Sequence, residues 1–345
     1  MVNSNLATAI FFCVVKVITK IRGDTMKLTF EQIKQIAVGA LRVVECDGYY
    51  SFYRCTEKQI KAWYDYGNET LGDRSKTTTG VRLDFHTNSK HFAFRATGRK
   101  AEILIDGMQR GIFFPGDDGI ISGEMALTDM IGNEKDDFRV TLIFSSHGIG
   151  NLYFAELDDG AYIKNHEYST KMLFIGDSIT QGWNSYYDTL SFAWRLTMHY
   201  NANSIINGIG GAFYEPETFD KIDFDPDTVI IAYGTNDAMQ FKVFEQMQSK
   251  VVGYLDFVKE TYGEKRVVVI SPIWRGNAEM KPMGEEFDRK RRMIEREAAA
   301  RGFEVVSGLE LVPPRAEFFA DTYLHPNDLG FGLYAENLIR ILDKK

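Results

Sequence analysis

The chain has 345 residues, 44% of them hydrophobic and 26% charged, with 8 prolines and no long polar tract, which excludes an intrinsically disordered protein and predicts packed cores in two domains. Its 40 Lys and Arg against 48 Asp and Glu leave a net charge of -8, a balance that disfavours nucleic acid and anionic membrane surfaces as partners. Three cysteines, Cys13, Cys46 and Cys55, with no C-x-x-C pair and no histidine at metal-ligand spacing, exclude a disulfide-stapled scaffold and predict free thiols and no metal site.

In chain order, the apolar run from Leu6 to Val15 is too short to span a bilayer, lacks a small-residue cleavage site and runs into Lys16, Lys20 and Arg22. Residues 1–25 are therefore read as a leader or a misassigned start, with no stable membrane association and a cytoplasmic location expected. Residues 26–166 read as an antiparallel β-sandwich. Between Leu41 and Ile163 short alternating runs are broken by turns: Val81, Leu83 and Phe85 alternate with Arg82, Asp84 and His86, and Phe138, Val140, Leu142 and Phe144 repeat the same period. Asp106-Gly107 marks a tight hairpin, and an amphipathic segment from Thr56 to Tyr64 interrupts the strands. Trp63 and Trp194 read as plain core.

The period changes near Lys164 to Tyr168, a polar stretch read as the linker. Over residues 167–345 buried-type strands alternate with helices: strands at Lys171 to Ile175, Ser204 to Ile206, Thr228 to Tyr233, Arg266 to Ser271 and Phe303 to Val306, and helices near 190–199, 243–260, 284–301 and 329–342. That order predicts a doubly wound α/β domain with a mainly parallel sheet, whose ligands sit beyond the carboxyl ends of the strands. The basic run Arg289 to Arg292 lies among Glu285, Glu286, Glu295 and Glu297 and reads as a solvated helix face.

The residues that follow the strands are Gly176-Asp177-Ser178, Gly208-Ile-Gly-Gly211 and Gly234-Thr-Asn236-Asp237, with His325-Pro326 before the last helix. Acyl transfer needs a nucleophile, a base in hydrogen-bond reach and donors around an oxyanion. Ser178 and His325 offer the first two; the N–H groups of Ser178 and Gly211 with the Asn236 amide offer the third. Gly176 to Thr180 is not a G-x-S-x-G elbow, and no P-loop or dinucleotide fingerprint is present. Asp177 and Asp237 read as turn caps, while His86, His91, His147, His166 and His199 read as structural or surface residues. Trp183 and Trp274 are candidates to wall the substrate pocket.

These four blocks, in this order, resemble the SGNH (GDSL-type) hydrolase family over roughly residues 170–345. The resemblance implies a flavodoxin-like α/β/α domain and serine esterase chemistry without a cofactor. The β-rich part ahead of it resembles the jelly-roll sandwich that precedes the SGNH domain in family-two-type carbohydrate acetylesterases. In the family the triad acid stands three residues before the histidine; here that position is Thr322 and the carboxylate is Asp321, four residues before His325. Either Asp321 orients the imidazole or a main-chain carbonyl does, as the resemblance to the family-two type allows. The expected activity is removal of small acyl groups, acetyl above all, from a small-molecule or oligosaccharide ester. A lipase or thioesterase for longer chains, or a catalytically silent carbohydrate-binding protein, are the alternatives.

Overall fold

A computed structural model describes residues 24–279 and 283–344. The apolar run at 6–15 and Cys13 lie outside the described residues, as does the rest of the expected leader except Asp24 and Thr25. Thr25 is in a strand, paired with Asp158, and the Asp24 carbonyl accepts from the Asp159 N–H.

The first part of the chain forms β1 (Thr25–Lys27), α1 (Phe30–Ile36), β2 (Ala37–Val38), β3 (Arg42–Cys46), β4 (Tyr49–Tyr53), α2 (Glu57–Ala62) and α3 (Glu69–Ser75). It continues with β5 (Arg82–Thr87), β6 (His91–Ala96), β7 (Ala101–Ile105), β8 (Met108–Phe113), β9 (Ile121–Ala126), β10 (Phe138–Phe144), β11 (Leu152–Asp158) and β12 (Lys164–Asn165). One antiparallel sheet runs β3-β4-β11-β6-β9, with β1 beside β11; the other runs β12-β5-β10-β7-β8, with β2 beside β5. Their apolar faces share a core in which Leu83, Phe85, Phe92, Phe94, Ile103, Val140 and Leu142 are fully buried. The Thr56 hydroxyl and the Gln59 side chain form a reciprocal cap that starts α2.

The alternation along β5 predicts a solvated polar face, yet Arg82 and Asp84 are each 1% exposed. The reason is tertiary: the second part of the chain packs on that face. Arg82 Nη2 donates to the Ala202 carbonyl at 3.1 Å, and its guanidinium lies over the Trp194 ring at 5.1 Å. The polar stretch read as a linker is also fixed. β12 pairs with β5, and the Tyr168 hydroxyl donates to Asp84 Oδ2 at 2.6 Å.

The second part holds β13 (Thr170–Gly176), α4 (Ser178–Gln181), α5 (Phe192–His199), β14 (Ala202–Gly208), β15 (Thr228–Ala232), α6 (Thr235–Gln240) and α7 (Phe244–Tyr262). β16 (Arg266–Ile270), α8 (Met283–Ala300), β17 (Glu304–Val306) and α9 (Asp328–Leu342) complete it. All pairings in its sheet are parallel, in the order β14-β13-β15-β16-β17, so the chain reverses its winding beside β13. Helices cover both faces: α7 buries Met247, Val251, Tyr254, Leu255 and Val258 in one core, and α5 and α9 bury Phe192, Phe331, Tyr334 and Leu338 in another. The basic run in α8 is not wholly solvated. Lys290 is 3% exposed and donates to the Ala238 and Phe241 carbonyls at 3.0 and 2.7 Å, which caps α6. Among the described residues no helix is long and apolar enough to cross a membrane.

The Asp84 carboxylate accepts from Arg139 at 2.9 and 2.7 Å and faces Arg82 at 3.6 Å. Burial opposes its ionisation, but the two guanidinium groups and Tyr168 outweigh burial and bring its pKa down to about 2. A carboxyl depressed in the folded state adds stability above its unfolded pKa and loses it as pH falls through the folded one, here about 2 kcal/mol that disappears between about pH 4 and pH 2. Asp84→Asn should therefore lower the urea midpoint at neutral pH by an amount equivalent to about 3 kcal/mol and show a flatter acid limb than the parent protein; an unchanged acid limb would contradict this.

Candidate active site

The crevice beyond the carboxyl ends of β13, β14 and β15 lies where the winding reverses, the position at which open α/β sheets bind ligands. β13 ends in Gly176, paired with Gly208 at the end of β14, and the chain then turns into α4. Asp177 caps that turn: its Oδ1 accepts from the Ile179 N–H at 2.9 Å. Ser178 opens the helix, so its N–H points away from intrahelical partners. Gly208 presses against α4 so closely that a Cβ there would stand 2.3 Å from the Gln181 nitrogen, which is why the β14 loop can rest on the helix that carries Ser178.

Ser178 Oγ lies 2.9 Å from His325 Nε2. His325 Nδ1 in turn lies 2.6 Å from Asp321 Oδ2. With the Nδ1–H donating to the carboxylate, the Nε2 lone pair is left for the serine hydroxyl, the tautomer that a general base requires. The loop absorbs the extra residue between acid and base by wrapping around the carboxylate: Asp321 Oδ1 accepts from the N–H groups of Tyr323, Leu324 and His325 at 3.1, 2.8 and 3.0 Å. Thr322 takes φ of 70° to make that wrap, a conformation that costs a β-branched residue about 1–2 kcal/mol. Burial pushes the Asp321 carboxyl up, but the three N–H groups and the imidazole outweigh it and the net shift is downward. Burial lowers the His325 pKa, with Arg275 adding to the shift and Asp321 opposing it.

Two further candidates sit on loops tied to each other. Gly211 has φ of 90°, a left-handed conformation that glycine adopts at no steric cost. Asn236 Nδ2 donates one of its two hydrogens to the Ala212 carbonyl at 2.9 Å, next to Gly211. Neither the Ser178 N–H nor the Gly211 N–H meets a protein acceptor among the described residues. Asp177 and Asp237 lie beneath these loops, and burial pushes each up to about 7. They therefore add little negative charge behind the crevice below neutral pH. Asp237 Oδ1 accepts from the Tyr214 N–H at 2.8 Å, a tie between loops.

Trp183 stands beside this group, its ring 6.3 Å from the His325 ring. Trp274 is placed differently: it packs on Phe319 at 4.9 Å, and its indole N–H donates to Glu279, so it braces the loop that leads to His325. The first part of the chain adds residues that sequence reasoning missed. His147, read as structural or surface, meets the Trp183 ring edge-on at 4.9 Å, with its Nε2 buried and without a partner among the described residues and its pKa lowered by burial. Arg74 on α3 donates from Nη1 to the Gly210 carbonyl at 2.6 Å and lies over Trp183 at 5.4 Å. No local pattern marks either residue, because each reaches the crevice only through the packing of the two parts. Arg275, after β16, holds the Thr235 carbonyl at 3.1 Å beside Asn236. Among the described residues no cluster of His, Cys, Asp and Glu could hold a metal ion.

Residues 174–333 match the model of the GDSL-like lipase/acylhydrolase family. No curated protein sequence matches the chain. Among solved structures, the chain is similar to the salicylyl-acyltransferase SsfX3 from a tetracycline biosynthetic pathway, with TM-score 0.76 and 18% identity over 93% of this chain and 96% of that one. It is similar to a family two carbohydrate esterase from Cellvibrio japonicus (TM-score 0.65, 13% identity, 93% and 98% covered). A family two carbohydrate esterase from Clostridium thermocellum, in complex with cellohexaose, matches with TM-score 0.61 and 15% identity over 78% and 93%. At these identities the likeness is one of fold, and for SsfX3 and the Cellvibrio enzyme it runs through both parts of the chain.

The His325 environment sets a measurable titration. Burial places its pKa below the ordinary histidine value, and removing the Asp321 charge takes away what opposes that shift. Histidine NMR should show the His325 ring titrating below the ordinary histidine value, and lower still in Asp321→Asn; an upward shift in that variant would contradict the assigned contacts.

Proposed function

From a chain whose residues 174–333 form a GDSL-like lipase/acylhydrolase domain, and which is thereby an ester hydrolase of the SGNH type, we propose a serine esterase that removes acetyl groups from carbohydrate. The observation that carries the chemistry is the line Ser178 to His325 to Asp321, with both hydrogen bonds in register. His325 Nε2 takes the Ser178 proton as Oγ attacks the ester carbonyl. The oxyanion is met by the N–H groups of Ser178 and Gly211 and the free hydrogen of the Asn236 amide. His325 then gives the proton to the leaving sugar oxygen, and water, deprotonated by the same nitrogen, releases acetate from Ser178. Asp321 holds the tautomer and stabilises the imidazolium.

The surroundings favour a small acyl group and a polar alcohol. The cleft of about 440 Å³ beside Gly211 is lined by Asn68, Thr70, Arg74 and Gln240 together with Leu71 and Phe213; it adjoins the oxyanion donors through Gly211, does not itself reach Ser178 or His325, and offers hydrogen-bonding groups to a sugar. A larger apolar groove of about 1100 Å³, lined by Leu104, Met108, Met198, Leu329 and Ile339, touches neither Ser178 nor His325, so it offers no berth for a long acyl chain on the nucleophile. Trp183 forms one wall for the substrate. The antiparallel part, which we read as a jelly-roll sandwich over residues 26–166, closes the cleft with α3 and sets His147 against Trp183. A second reading is transfer of the acyl group to an acceptor other than water. The likeness to the acyltransferase SsfX3 and the room beside Gly211 favour it.

The test is acetate release from acetylated xylo- and manno-oligosaccharides beside p-nitrophenyl esters of increasing chain length. Ser178→Ala should lose at least about a thousandfold in kcat, and Asp321→Asn about a hundredfold to ten-thousandfold. Turnover of long esters only would overturn the acetyl and carbohydrate assignment; turnover that rises in proportion to an added alcohol while acetate falls would favour acyl transfer.

A further inference from the structure

Resting on the esterase reading above, we propose that Arg74, from the first part of the chain, is a positioning residue that aims and strengthens the Gly211 N–H as an oxyanion donor by binding the opposite end of the same peptide group. The carbonyl oxygen of Gly210 and the N–H of Gly211 belong to one planar amide. A cation that donates to the oxygen draws electron density from the nitrogen, and the N–H becomes a stronger donor, the cooperative effect expected of linked hydrogen bonds in a poorly solvated site. Arg74 Nη1 stands 2.6 Å from Gly210 O, the short distance of a charge-assisted bond.

The amide is held in place as well as polarised. The Gly210 N–H donates to Gln181 Oε1 at 2.8 Å, and Gln181 lies on the helix that begins with Ser178. Its Nε2 donates to the Ser146 carbonyl at 2.7 Å, so the same side chain ties the loop to the first part of the chain. Gly211 permits the approach. A Cβ at that position would stand 3.3 Å from both Arg74 Nη1 and Leu71 Cδ2.

Arg74 is itself fixed. Its backbone carbonyl accepts from Arg54 Nη2 at 2.9 Å, and the Trp183 ring lies 5.4 Å from its guanidinium. Its acidic neighbour Asp73 pairs with Lys76 at 3.0 Å and accepts from the Tyr64 hydroxyl. Among the described residues no carboxylate pairs with Arg74, so its charge stands unneutralised behind the Gly211 N–H and favours an oxyanion forming on the far side of the peptide. An interaction that grows between ground state and transition state raises kcat and leaves KM little changed.

The experiment compares Arg74→Met and Arg74→Lys with the parent enzyme on p-nitrophenyl acetate, and measures affinity for phenylboronic acid, which forms a tetrahedral anion on a reactive serine. Arg74→Met keeps the length of the stem and removes donor and charge. Its kcat should fall about tenfold, less than the hundredfold or more that follows loss of a whole oxyanion donor, with KM within about twofold and boronate affinity weakened by the same factor as kcat. Arg74→Lys should recover most of both losses, because its ammonium can donate to Gly210 O but cannot stack on Trp183. Three results would overturn the proposal: unchanged kcat and boronate affinity in Arg74→Met, a loss confined to KM, or a lysine variant as impaired as the methionine one. Labelling of Ser178 by a fluorophosphonate in the parent protein separates the two levels: no adduct and no turnover removes the esterase reading and this one with it, whereas labelling and turnover with an indifferent Arg74→Met removes this one alone.

Discussion

The buried guanidinium of Arg54 joins the two parts of the chain beside the site, and the site is assembled around it. Arg54 is 1% exposed. It donates to the Thr77 carbonyl and the Arg74 carbonyl on one side, and to the Asn207 side chain near the end of β14 on the other. A charge removed from water at this depth is tolerated only where its donors are met, and here they are met from both sides of the seam. The consequence is that the C-terminal end of α3 and the loop after β14 are fixed relative to each other. Arg82, Asp84 and Tyr168 make a second buried junction at the opposite end of β14, so the outward face of one antiparallel sheet becomes an interface instead of a solvated surface.

The crevice inherits its shape from that seam. The parallel sheet alone brings Ser178, the Gly211 loop and Asn236 to one edge, and the last helix and its preceding loop bring His325. The first part of the chain supplies what stands over them: α3 with Arg74, and the loop of Ser146 and His147, anchored where Asp188 Oδ2 accepts from the Ser146 N–H at 2.8 Å. Asp188 and Glu102 share Lys100 at 3.1 and 3.2 Å, and the Asp188 N–H donates to Glu102 at 2.5 Å. That buried group holds the loop after Trp183 to β7. Neither part, by these contacts, has a complete substrate wall without the other.

Much of the second part was legible in the sequence because its signals are local. Buried strands such as Lys171 to Ile175 and Thr228 to Tyr233 read as apolar runs, and the residues that end them are small or polar in a pattern that a plain βα series does not require. The helix near 243–260 was likewise plain, and α7 runs from Phe244 to Tyr262. What was not legible depends on two segments meeting. Arg82 and Asp84 obey a period of two that says nothing about what covers the polar face. Lys290 sits in a run of charges and becomes buried because α6 ends above it. α3, with Gly72 inside a short polar stretch, carries no helical stripe, and so Arg74 escaped notice. The place of Asp321 turned on one dihedral, Thr322 in the left-handed region, which lets a loop one residue longer close on the same imidazole.

A serine, a histidine and a carboxylate at the edge of a parallel sheet thus stand beside a cleft completed by a separate antiparallel unit, the arrangement we propose for an acetylesterase acting on carbohydrate. The central claim is a covalent one, that the acetyl group passes through Ser178 Oγ. The direct measurement is mass spectrometry of the protein quenched in acid during turnover of an acetylated oligosaccharide. The account predicts one added acetyl group on the peptide that contains Ser178, absent in Ser178→Ala. Acetate release with no such adduct and no loss in Ser178→Ala would contradict it.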